Sequence, residues 1–201
     1  MRRFTSWKTW SDAQAPLRDS LPEAVLTDVA AAVAFAAERH ADQQRPTGVP
    51  YMEHLLEALE VAVVGAGVRD RDVLVAIVLH DVVEDTPCEP EEIRDRFGEQ
   101  VADLVAWVTK PPTPSGADKA AVKQGYLRAL ADAPRVAVLV KLADRVSNVQ
   151  ELHRMSSDFQ RRYHRETLDY IVPLAAADPW FADWFRTWRE EWRHLETDHA
   201  N

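Results

Sequence analysis

The chain has 201 residues, of which 46% are hydrophobic, and it carries a formal net charge of −9 at pH 7. A chain of this length forms one domain with a sizeable core, and two full domains are not expected. The acidic balance argues against general nucleic-acid binding, which requires a basic surface that displaces counterions from phosphates.

The sequence also argues against membrane and secreted proteins. No apolar run approaches the roughly 20 residues that a membrane-spanning helix needs, and no apolar segment follows Arg2-Arg3. The single cysteine, Cys88, excludes an internal disulfide framework and is typical of a reducing compartment. We therefore expect a cytoplasmic protein with no membrane partner.

The chain begins with an arm and a long helix. Residues 1–19 carry two tryptophans among scattered charges without a clear period, so we expect an irregular N-terminal arm that folds over the body. Ser20 and Glu23 have the spacing of a capping box, with Pro22 inside the first turn, which predicts a helix start. The Ala-rich amphipathic run that follows extends this helix to about His40.

The following segments are predicted to be helices separated by loops that contain proline or glycine. Residues 43–50 and 110–116 are rich in these two residue types and cannot form regular structure. Asp70 is a candidate N-cap for the third helix. Helices are predicted over about 51–65, 70–85, 91–97, 99–109, 118–132, 134–152, 158–176 and 179–196. The pattern indicates an all-α single domain of about eight helices.

The last helix carries a stripe of aromatic residues. Its tryptophans recur every fourth residue, at Trp180, Trp184, Trp188 and Trp192. Such a stripe is typical of a buried core or of a helix–helix contact. We therefore divide the chain into the arm, a domain over residues 20–178, and a Trp-rich helix over 179–201 that packs on the domain or on a partner subunit. A homodimer is compatible with this pattern.

Chemically active side chains cluster at the end of the third predicted helix. His80 and Asp81 follow an apolar run, and Glu84 and Asp85 come one helical turn later. In a continuous helix they form two adjacent polar rows. Unpaired charges in apolar surroundings are costly to desolvate, and a divalent metal removes that cost. We expect His80 and Asp81 to bind a metal, with Glu84 and Asp85 acting on a water beside it. A satisfied polar helix end in a surface cleft is the alternative.

Further metal ligands must come from other parts of the chain. His54 lies at a predicted helix start, and Asp144 interrupts an apolar segment four residues before Asn148. Two imidazoles and two carboxylates suit Mn²⁺, Fe²⁺ or Zn²⁺ and leave room for water. Each of these polar residues, taken alone, is also compatible with a structural role.

Four segments together resemble a known family. They lie at residues 45–54 (RPTGVPYMEH), 79–86 (LHDVVEDT), 97–101 with 108–110 (FGEQV and VTK), and 141–148 (KLADRVSN). In order and spacing they resemble the HD-domain phosphohydrolases. Within that family they resemble the alarmone hydrolases of the stringent response, which comprise the hydrolase domain of Rel/Spo enzymes and their small stand-alone relatives. The resemblance covers about residues 30–155 and implies an HD-type helical bundle.

The resemblance implies a role for each residue that matches the family's motifs. The implied metal ligands are His54, His80, Asp81 and Asp144, with Mn²⁺ as the expected ion and Fe²⁺, Zn²⁺ or Co²⁺ as alternatives. Glu84 and Asp85 match the family's catalytic acidic pair. The implied residues of the nucleotide site are Arg45, Thr47, Lys141 and Asn148. The implied reaction releases pyrophosphate from the 3′ position of guanosine tetraphosphate (ppGpp), a small anionic nucleotide.

Two positions depart from the family pattern. Pro46 stands where a second basic residue is usual, and Glu151 stands where a small hydroxyl residue is common. The first change removes a positive charge and the second adds a negative one. Both disfavour a substrate with two diphosphates, because like charges repel most strongly in a desolvated pocket. One alternative is therefore an HD-type phosphatase for another nucleotide, such as a nucleoside monophosphate or a 2′- or 3′-phosphorylated nucleotide. A non-catalytic nucleotide-sensing module is the non-enzymatic alternative.

Tyr51 and the histidines outside these motifs are not expected to act in the chemistry. Tyr51 is expected to pack against the helix start, with binding as the minor alternative. The remaining histidines lie on charged stretches and are expected to be exposed: His40, His153, His164, His194 and His199. The chain leaves no room for a companion synthetase domain, so we expect a stand-alone hydrolase.

Overall fold

The computed structural model describes residues 1–197, and every regular element within them is helical. The α-helices are α1 (Trp10–Ser20), α2 (Glu23–His40), α3 (Tyr51–Glu60), α4 (Arg71–Leu79), α5 (Val82–Asp85), α6 (Pro90–Phe97), α7 (Glu99–Val108), α8 (Lys119–Ala129), α9 (Arg135–Val149), α10 (Ser157–Glu166), α11 (Pro179–Glu191) and α12 (His194–Thr197). Shorter π-helical turns (Val61–Gly65, Thr167–Ile171) and 3₁₀ turns (Leu130–Asp132, Leu152–Arg154, Val172–Ala177) extend or join them. The all-α prediction is confirmed, and the helix number is close to the expected eight once the four-residue helices α5 and α12 are set aside.

Helix α4 lies at the centre of the bundle. Its residues from Val73 to Leu79 are all buried, and it packs against α2, α3, α7 and α9. A helix that is apolar on all sides is stable only where neighbouring elements cover it on all sides. The polar side chains that follow α4 therefore emerge inside the bundle, close to α3 and α9.

The chain turns where α4 gives way to α5, and the prediction of one continuous helix over about 70–85 is wrong. His80 Nδ1 donates a hydrogen bond of 2.7 Å to the Ile77 carbonyl. In a continuous helix that carbonyl would accept from the Asp81 amide. The side chain thus competes with the backbone, and α5 restarts with the Asp85 amide donating to Asp81 at 2.8 Å. The expected two polar rows are replaced by a bend that carries His80 and Asp81.

Side-chain caps begin α4, as the sequence predicts, and α11. Asp70 accepts from the amides of the second and third residues of α4, both at 3.0 Å. Asp178 accepts from the Trp180 amide at 2.9 Å, and Pro179 occupies the first position of α11. These caps satisfy amides that have no partner inside the helix.

The N-terminal arm is irregular only in its first half, so the prediction for residues 1–19 is wrong in its second half. Thr9 begins α1 with a capping box, in which the Thr9 hydroxyl accepts from the Asp12 amide and the Asp12 carboxylate accepts from the Thr9 amide. The capping box predicted at Ser20 is also wrong, because Ser20 ends α1 and Pro22 precedes α2 without a side-chain cap. The T-x-x-D spacing of Thr9 and Asp12 was the sequence signal for the start of α1.

The arm and α11 pack against the end of α9. The Phe4 amide donates to Gln150 Oε1 at 2.7 Å, and Gln150 Nε2 donates to the Phe4 carbonyl at 2.8 Å. Trp184 and Trp188 of α11 are buried, and Trp188 Nε1 donates to the Val149 carbonyl at 3.2 Å. The tryptophan stripe therefore packs on the chain's own domain.

The expectations for the C-terminal part of the chain concern the Trp-rich segment, the domain boundary and the homodimer. The predicted Trp-rich segment over 179–201 includes residues 198–201, which lie outside the described residues. The boundary at residue 178 and the homodimer stay predictions. Among the helices of residues 1–197, none has the length and apolar character needed to cross a membrane.

Candidate metal centre

Three parts of the bundle direct polar side chains into one buried region. Helix α3 contributes His54, the bend between α4 and α5 contributes His80 and Asp81, and α9 contributes Asp144. His54, His80 and Asp144 are 2%, 1% and 5% exposed. Because these segments are far apart in sequence, only the packing of α3 and α9 around α4 brings the side chains together.

The four side chains point donor atoms at one another. His54 Nε2 lies 3.2 Å from His80 Nε2 and 3.4 Å from Asp81 Oδ2. Asp144 Oδ1 lies 3.4 Å from His54 Nε2 and 3.6 Å from His80 Nε2. His80 Nε2 and Asp81 Oδ2 are 3.0 Å apart. The donor atoms of His54, His80 and Asp81 all lie within 4.8 Å of one another, which fits three ligands of one ion, and Asp144 lies beside them through its contacts with the two imidazoles.

A hydrogen bond at Nδ1 sets the orientation of each imidazole ring. His80 Nδ1 donates to the Ile77 carbonyl at 2.7 Å. The Ser147 hydroxyl gives its proton to Glu57 Oε2 at 2.7 Å, so its oxygen accepts from His54 Nδ1 at 2.9 Å. In the neutral rings, both Nε2 atoms therefore direct lone pairs into the cluster. Partners of this kind orient metal-ligating histidines in proteins.

This arrangement fits a divalent cation. Two nitrogen lone pairs and two carboxylate oxygens repel one another at these separations unless positive charge lies between them. Burial opposes a charged His80, but the Asp81 and Asp144 carboxylates outweigh it and raise the pKa of His80. Burial alone would raise the pKa of both carboxyls, yet their cationic neighbours lower it. Nitrogen and oxygen donors in this ratio suit Mn²⁺, Fe²⁺ or Zn²⁺.

Two residues of α9 hold Asp144 in place. Lys141 Nζ lies 2.8 Å from Asp144 Oδ2, and Asn148 Nδ2 donates to Asp144 Oδ1 at 2.5 Å. Burial opposes the charge on Lys141, but the Asp144 carboxylate outweighs it and raises the lysine's pKa. Lys141 is therefore a charged partner of a candidate ligand. The substrate-binding role expected for Lys141 and Asn148 stays a prediction.

Arg45 connects the two sides of the cluster. Its guanidinium donates to Glu57 Oε2 at 3.2 Å and to Asn148 Oδ1 at 3.1 Å. Through these two partners it is joined to the candidate ligands on α3 and α9. A planar guanidinium in this position can also present its free donors to a phosphate or its face to a base.

Thr47 lies on the turn that carries Arg45. The Gly48 amide donates to the Arg45 carbonyl at 2.8 Å, and the Arg45 amide donates to the Val49 carbonyl at 2.9 Å. Gly48 has φ +85°, a conformation that favours glycine. Thr47 is half-buried there, and its place in the nucleotide site stays a prediction.

Glu84 is held by Lys110, which begins the proline-rich loop. The Lys110 amide donates to Glu84 Oε2 at 2.8 Å, and the Lys110 ammonium pairs with Glu84 Oε1. Glu84 is therefore fixed in one orientation one turn after the candidate ligands His80 and Asp81, which suits a group that orients water.

Asp85 is joined to the metal region by Tyr51. The Tyr51 hydroxyl lies 2.5 Å from Asp81 Oδ2 and 2.8 Å from Asp85 Oδ2. The hydroxyl has one proton, which it shares between the two carboxylates. Partial burial raises the pKa of Asp85, the Tyr51 hydrogen bond opposes this, and the charges of Asp81 and Glu84 raise it further, so Asp85 is suited to hold a proton.

Four residues of this region were missed or misjudged from the sequence: Tyr51, Glu57, Lys110 and Ser147. Glu57 lies three residues after His54, and Ser147 lies three residues after Asp144. That helical spacing places each beside a predicted ligand and was the available signal. Tyr51 was expected mainly to pack a helix start. No local pattern indicates that Lys110 pairs with Glu84.

The expectation that all remaining histidines are exposed is wrong for two of them. His40 is 3% and His164 is 2% exposed, because each ring packs on an aromatic neighbour. His153 and His194 are exposed as expected. His199 lies outside the described residues.

The two positions that depart from the family pattern differ in their surroundings. Pro46 is exposed on the turn that follows Arg45. Glu151 pairs with Arg154 at 2.8 Å, and its side chain is 32% exposed. The negative charge that Glu151 adds is therefore opposed by a cation at the same rim.

Comparisons with known proteins agree with this geometry. The HD domain family matches residues 32–180. The guanosine-3′,5′-bis(diphosphate) 3′-pyrophosphohydrolase of Aquifex aeolicus (strain VF5) is 39% identical over 150 residues, which are 74% of this chain and 21% of that protein. The bifunctional (p)ppGpp synthase/hydrolase SpoT of Escherichia coli (strain K12) is 36% identical over 160 residues, or 77% of this chain and 22% of that protein. The chain spans about a fifth of the length of these relatives.

A solved structure of similar length shares the fold. It is described as a metazoan ortholog of SpoT that hydrolyses ppGpp and plays a role in starvation responses. The two chains are 27% identical and superpose with a TM-score of 0.74, over 84% of this chain and 96% of the other.

Proposed function

This chain belongs to the HD-domain family, and on that premise we propose that it is a metal-dependent nucleotide phosphohydrolase that removes pyrophosphate from the 3′ position of guanosine-3′,5′-bis(diphosphate). Membership of the family implies a divalent-metal site. The observation that carries the proposal is the convergence of His54, His80 and Asp81, whose donor atoms lie within 4.8 Å of one another, with Asp144 Oδ1 3.4 and 3.6 Å from the two imidazole nitrogens. The names of the relatives support the choice of substrate.

The proposed ligands of the cation are His54, His80, Asp81 and Asp144. A bound divalent cation supplies a more acidic water and polarises a phosphoryl oxygen. We take Mn²⁺ as the expected ion, with Fe²⁺, Zn²⁺ and Co²⁺ as alternatives. A cytoplasmic location, absence of nucleic-acid partners and a homodimer are further parts of the proposal.

Glu84 and Asp85 are the proposed acidic pair. Glu84, held in place by Lys110, orients the attacking water and takes its proton. Asp85, whose pKa is raised, is suited to hold a proton and to return it to the leaving oxygen. Two carboxyl groups in different surroundings can thus take opposite roles.

The nucleotide is proposed to lie between the metal region and the turn that carries Arg45. Arg45 is held by Glu57 and Asn148 and is thereby pre-oriented toward a planar or anionic group. Thr47 and Lys141 complete the proposed contacts. A positive charge at Lys141, close to Asp144, also offsets the negative charge that a phosphate brings.

A panel of phosphorylated nucleotides, assayed with added Mn²⁺, tests this function. Pyrophosphate and phosphate are measured separately, with guanosine tetraphosphate, nucleoside monophosphates, and 2′- and 3′-phosphorylated nucleotides as substrates. We expect pyrophosphate from guanosine tetraphosphate. Phosphate from a mononucleotide instead would favour the alternative HD-type phosphatase, which the exposed Pro46 and the Glu151 carboxylate also suit. Binding without turnover of any substrate would indicate a nucleotide-sensing module.

The variant Glu84→Gln separates the catalytic role from metal binding. It keeps the side-chain shape and removes the charge, so we expect full metal content and a rate lower by about a hundredfold or more. Glu91→Gln, the same change at an exposed position of α6, is the matched control. An unchanged rate in Glu84→Gln would remove Glu84 from the mechanism.

A further inference from the structure

A tyrosine outside the ligand set contacts both parts of the proposed chemistry. The Tyr51 hydroxyl lies 2.5 Å from Asp81 Oδ2 and 2.8 Å from Asp85 Oδ2. Asp81 Oδ2 is the same oxygen that lies 3.0 Å from His80 Nε2 in the donor cluster. One hydroxyl is therefore shared between a proposed ligand atom and a proposed acidic residue.

Tyr51 is held both at its backbone and at its ring. Its backbone amide donates to the Gln43 carbonyl at 2.9 Å, which anchors the start of α3. Its ring stacks on His40, with centroids 4.5 Å apart and planes 16° apart. His40 is itself held by a 2.7 Å hydrogen bond between Nδ1 and Gln43 Oε1.

His40 acts on Tyr51 as a flat packing surface. The ring is 3% exposed, and its Nε2 atom has no hydrogen-bond partner among the described residues. Burial lowers the pKa of His40, so the ring is neutral. A neutral ring without a second polar contact supplies shape, which limits the rotation of Tyr51 about its own side chain.

We propose that Tyr51, backed by His40, is a positioning residue that sets the carboxylates of Asp81 and Asp85 relative to each other. The inference rests on the proposed function for the role of Asp85, but the contact with Asp81 stands without it. The hydroxyl holds the ligand oxygen toward the cluster, so loss of the hydroxyl releases Asp81 for other rotamers. Outer partners of this kind influence metal affinity or activity by about 10–100-fold.

The test uses Tyr51→Phe, which keeps the ring and its stack on His40. We expect the dissociation constant for Mn²⁺, measured by calorimetric titration of the metal-free protein, to rise about 10–100-fold. We expect kcat to fall by a similar factor while KM changes less than about threefold. Tyr170→Phe, the same change at a partly buried tyrosine packed against the core, is the control and should alter neither.

Two results would overturn the proposal. If Tyr51→Phe binds Mn²⁺ as the unaltered protein does, the hydroxyl does not position Asp81. If KM alone rises, Tyr51 contacts the substrate instead. Should the unaltered protein hydrolyse no nucleotide, the proposed function fails, and the Mn²⁺ titration still decides the role of Tyr51 at Asp81.

A pair of variants at His40 tests the same proposal without changing Tyr51. Its result therefore does not depend on whether Tyr51→Phe folds. His40→Phe retains a flat ring, and we expect its Mn²⁺ affinity and kcat to stay within about threefold of the unaltered protein. His40→Ala removes the ring, and we expect it to share the losses of Tyr51→Phe. If His40→Ala keeps the Mn²⁺ affinity and kcat that His40→Phe keeps, stacking on His40 does not hold Tyr51.

Discussion

Two buried regions meet on α9 and are stabilised by opposite means. The metal region on one part of the helix consists of charged and polar groups, each held by named partners, as Lys141 and Asn148 hold Asp144. The aromatic region at the helix end consists of rings, with Trp188 fully buried and hydrogen-bonded to the Val149 carbonyl. The first region offers a candidate site for a cation, whereas the second is packed by the chain's own residues. Function and stability are therefore expected to respond to different substitutions.

The largest expected effect is on the metal region. Asp81→Ala removes an oxygen donor while the apolar body of α4 stays packed, so we expect the protein to fold but to lose Mn²⁺. A bound cation contributes several kcal/mol to the transition state, so the rate should fall about a thousandfold or more. Metal content by mass spectrometry and the rate of pyrophosphate release provide the measurement. Asp95→Ala, at an exposed position of α6, is the control. Retained metal and activity in Asp81→Ala would refute the ligand assignment.

The corresponding change in the aromatic region is Trp188→Ala. It leaves a cavity beside His164 and Phe185, whose rings lie 4.8 and 6.1 Å from that of Trp188, and we expect a loss of about 3–5 kcal/mol in the free energy of unfolding. Chemical denaturation measures this loss, and kcat and KM should be unchanged below the unfolding temperature. Trp107→Ala is the control, because Trp107 is 38% exposed and should cost clearly less. A fall in kcat in folded Trp188→Ala would mean that the two regions are coupled.

Added metal should stabilise the protein through the metal region alone. A cation at a hundred times its dissociation constant raises the free energy of unfolding by about 2.7 kcal/mol when it binds only the folded state. Thermal unfolding with and without Mn²⁺ measures the increment, and chelation should reverse it. Asp81→Ala should show no increment, whereas Trp188→Ala should keep it. A similar increment in Asp81→Ala would place the ion elsewhere.

The smallest expected effect concerns the rim of the metal region. Glu151→Ser removes a negative charge, but Arg154 already opposes that charge at 2.8 Å. Exposed ion pairs are worth about 0–1 kcal/mol, so we expect the KM for guanosine tetraphosphate to fall less than about fivefold. Arg154→Ala leaves Glu151 unpaired and should raise KM. A tenfold or larger fall in Glu151→Ser would mean that Arg154 does not offset Glu151.

The sequence was informative where chemistry and helical spacing coincide. His80 and Asp81 are adjacent after an apolar run, His54 lies at a helix start and Asp144 interrupts an apolar segment, so each was a candidate ligand without a structure, and the family resemblance implied all four together. Asp70 was identified as a cap because a cap depends on a side chain and the next few amides. The bend at His80 was not found, because it depends on the His80 ring reaching the Ile77 carbonyl.

The sequence by itself determined the helical class and the candidate donor residues, since hydrophobic period, caps and residue chemistry are local properties. Only the tertiary structure decided that His54 of α3 meets His80 and Asp81 of the α4–α5 bend, and that Asp144 of α9 lies 3.4 and 3.6 Å from the two imidazole nitrogens. It also decided that Tyr51 reaches two carboxylates and that Lys110 holds Glu84. These contacts join residues distant in sequence, and they follow from how the helices pack around α4, which no local pattern encodes.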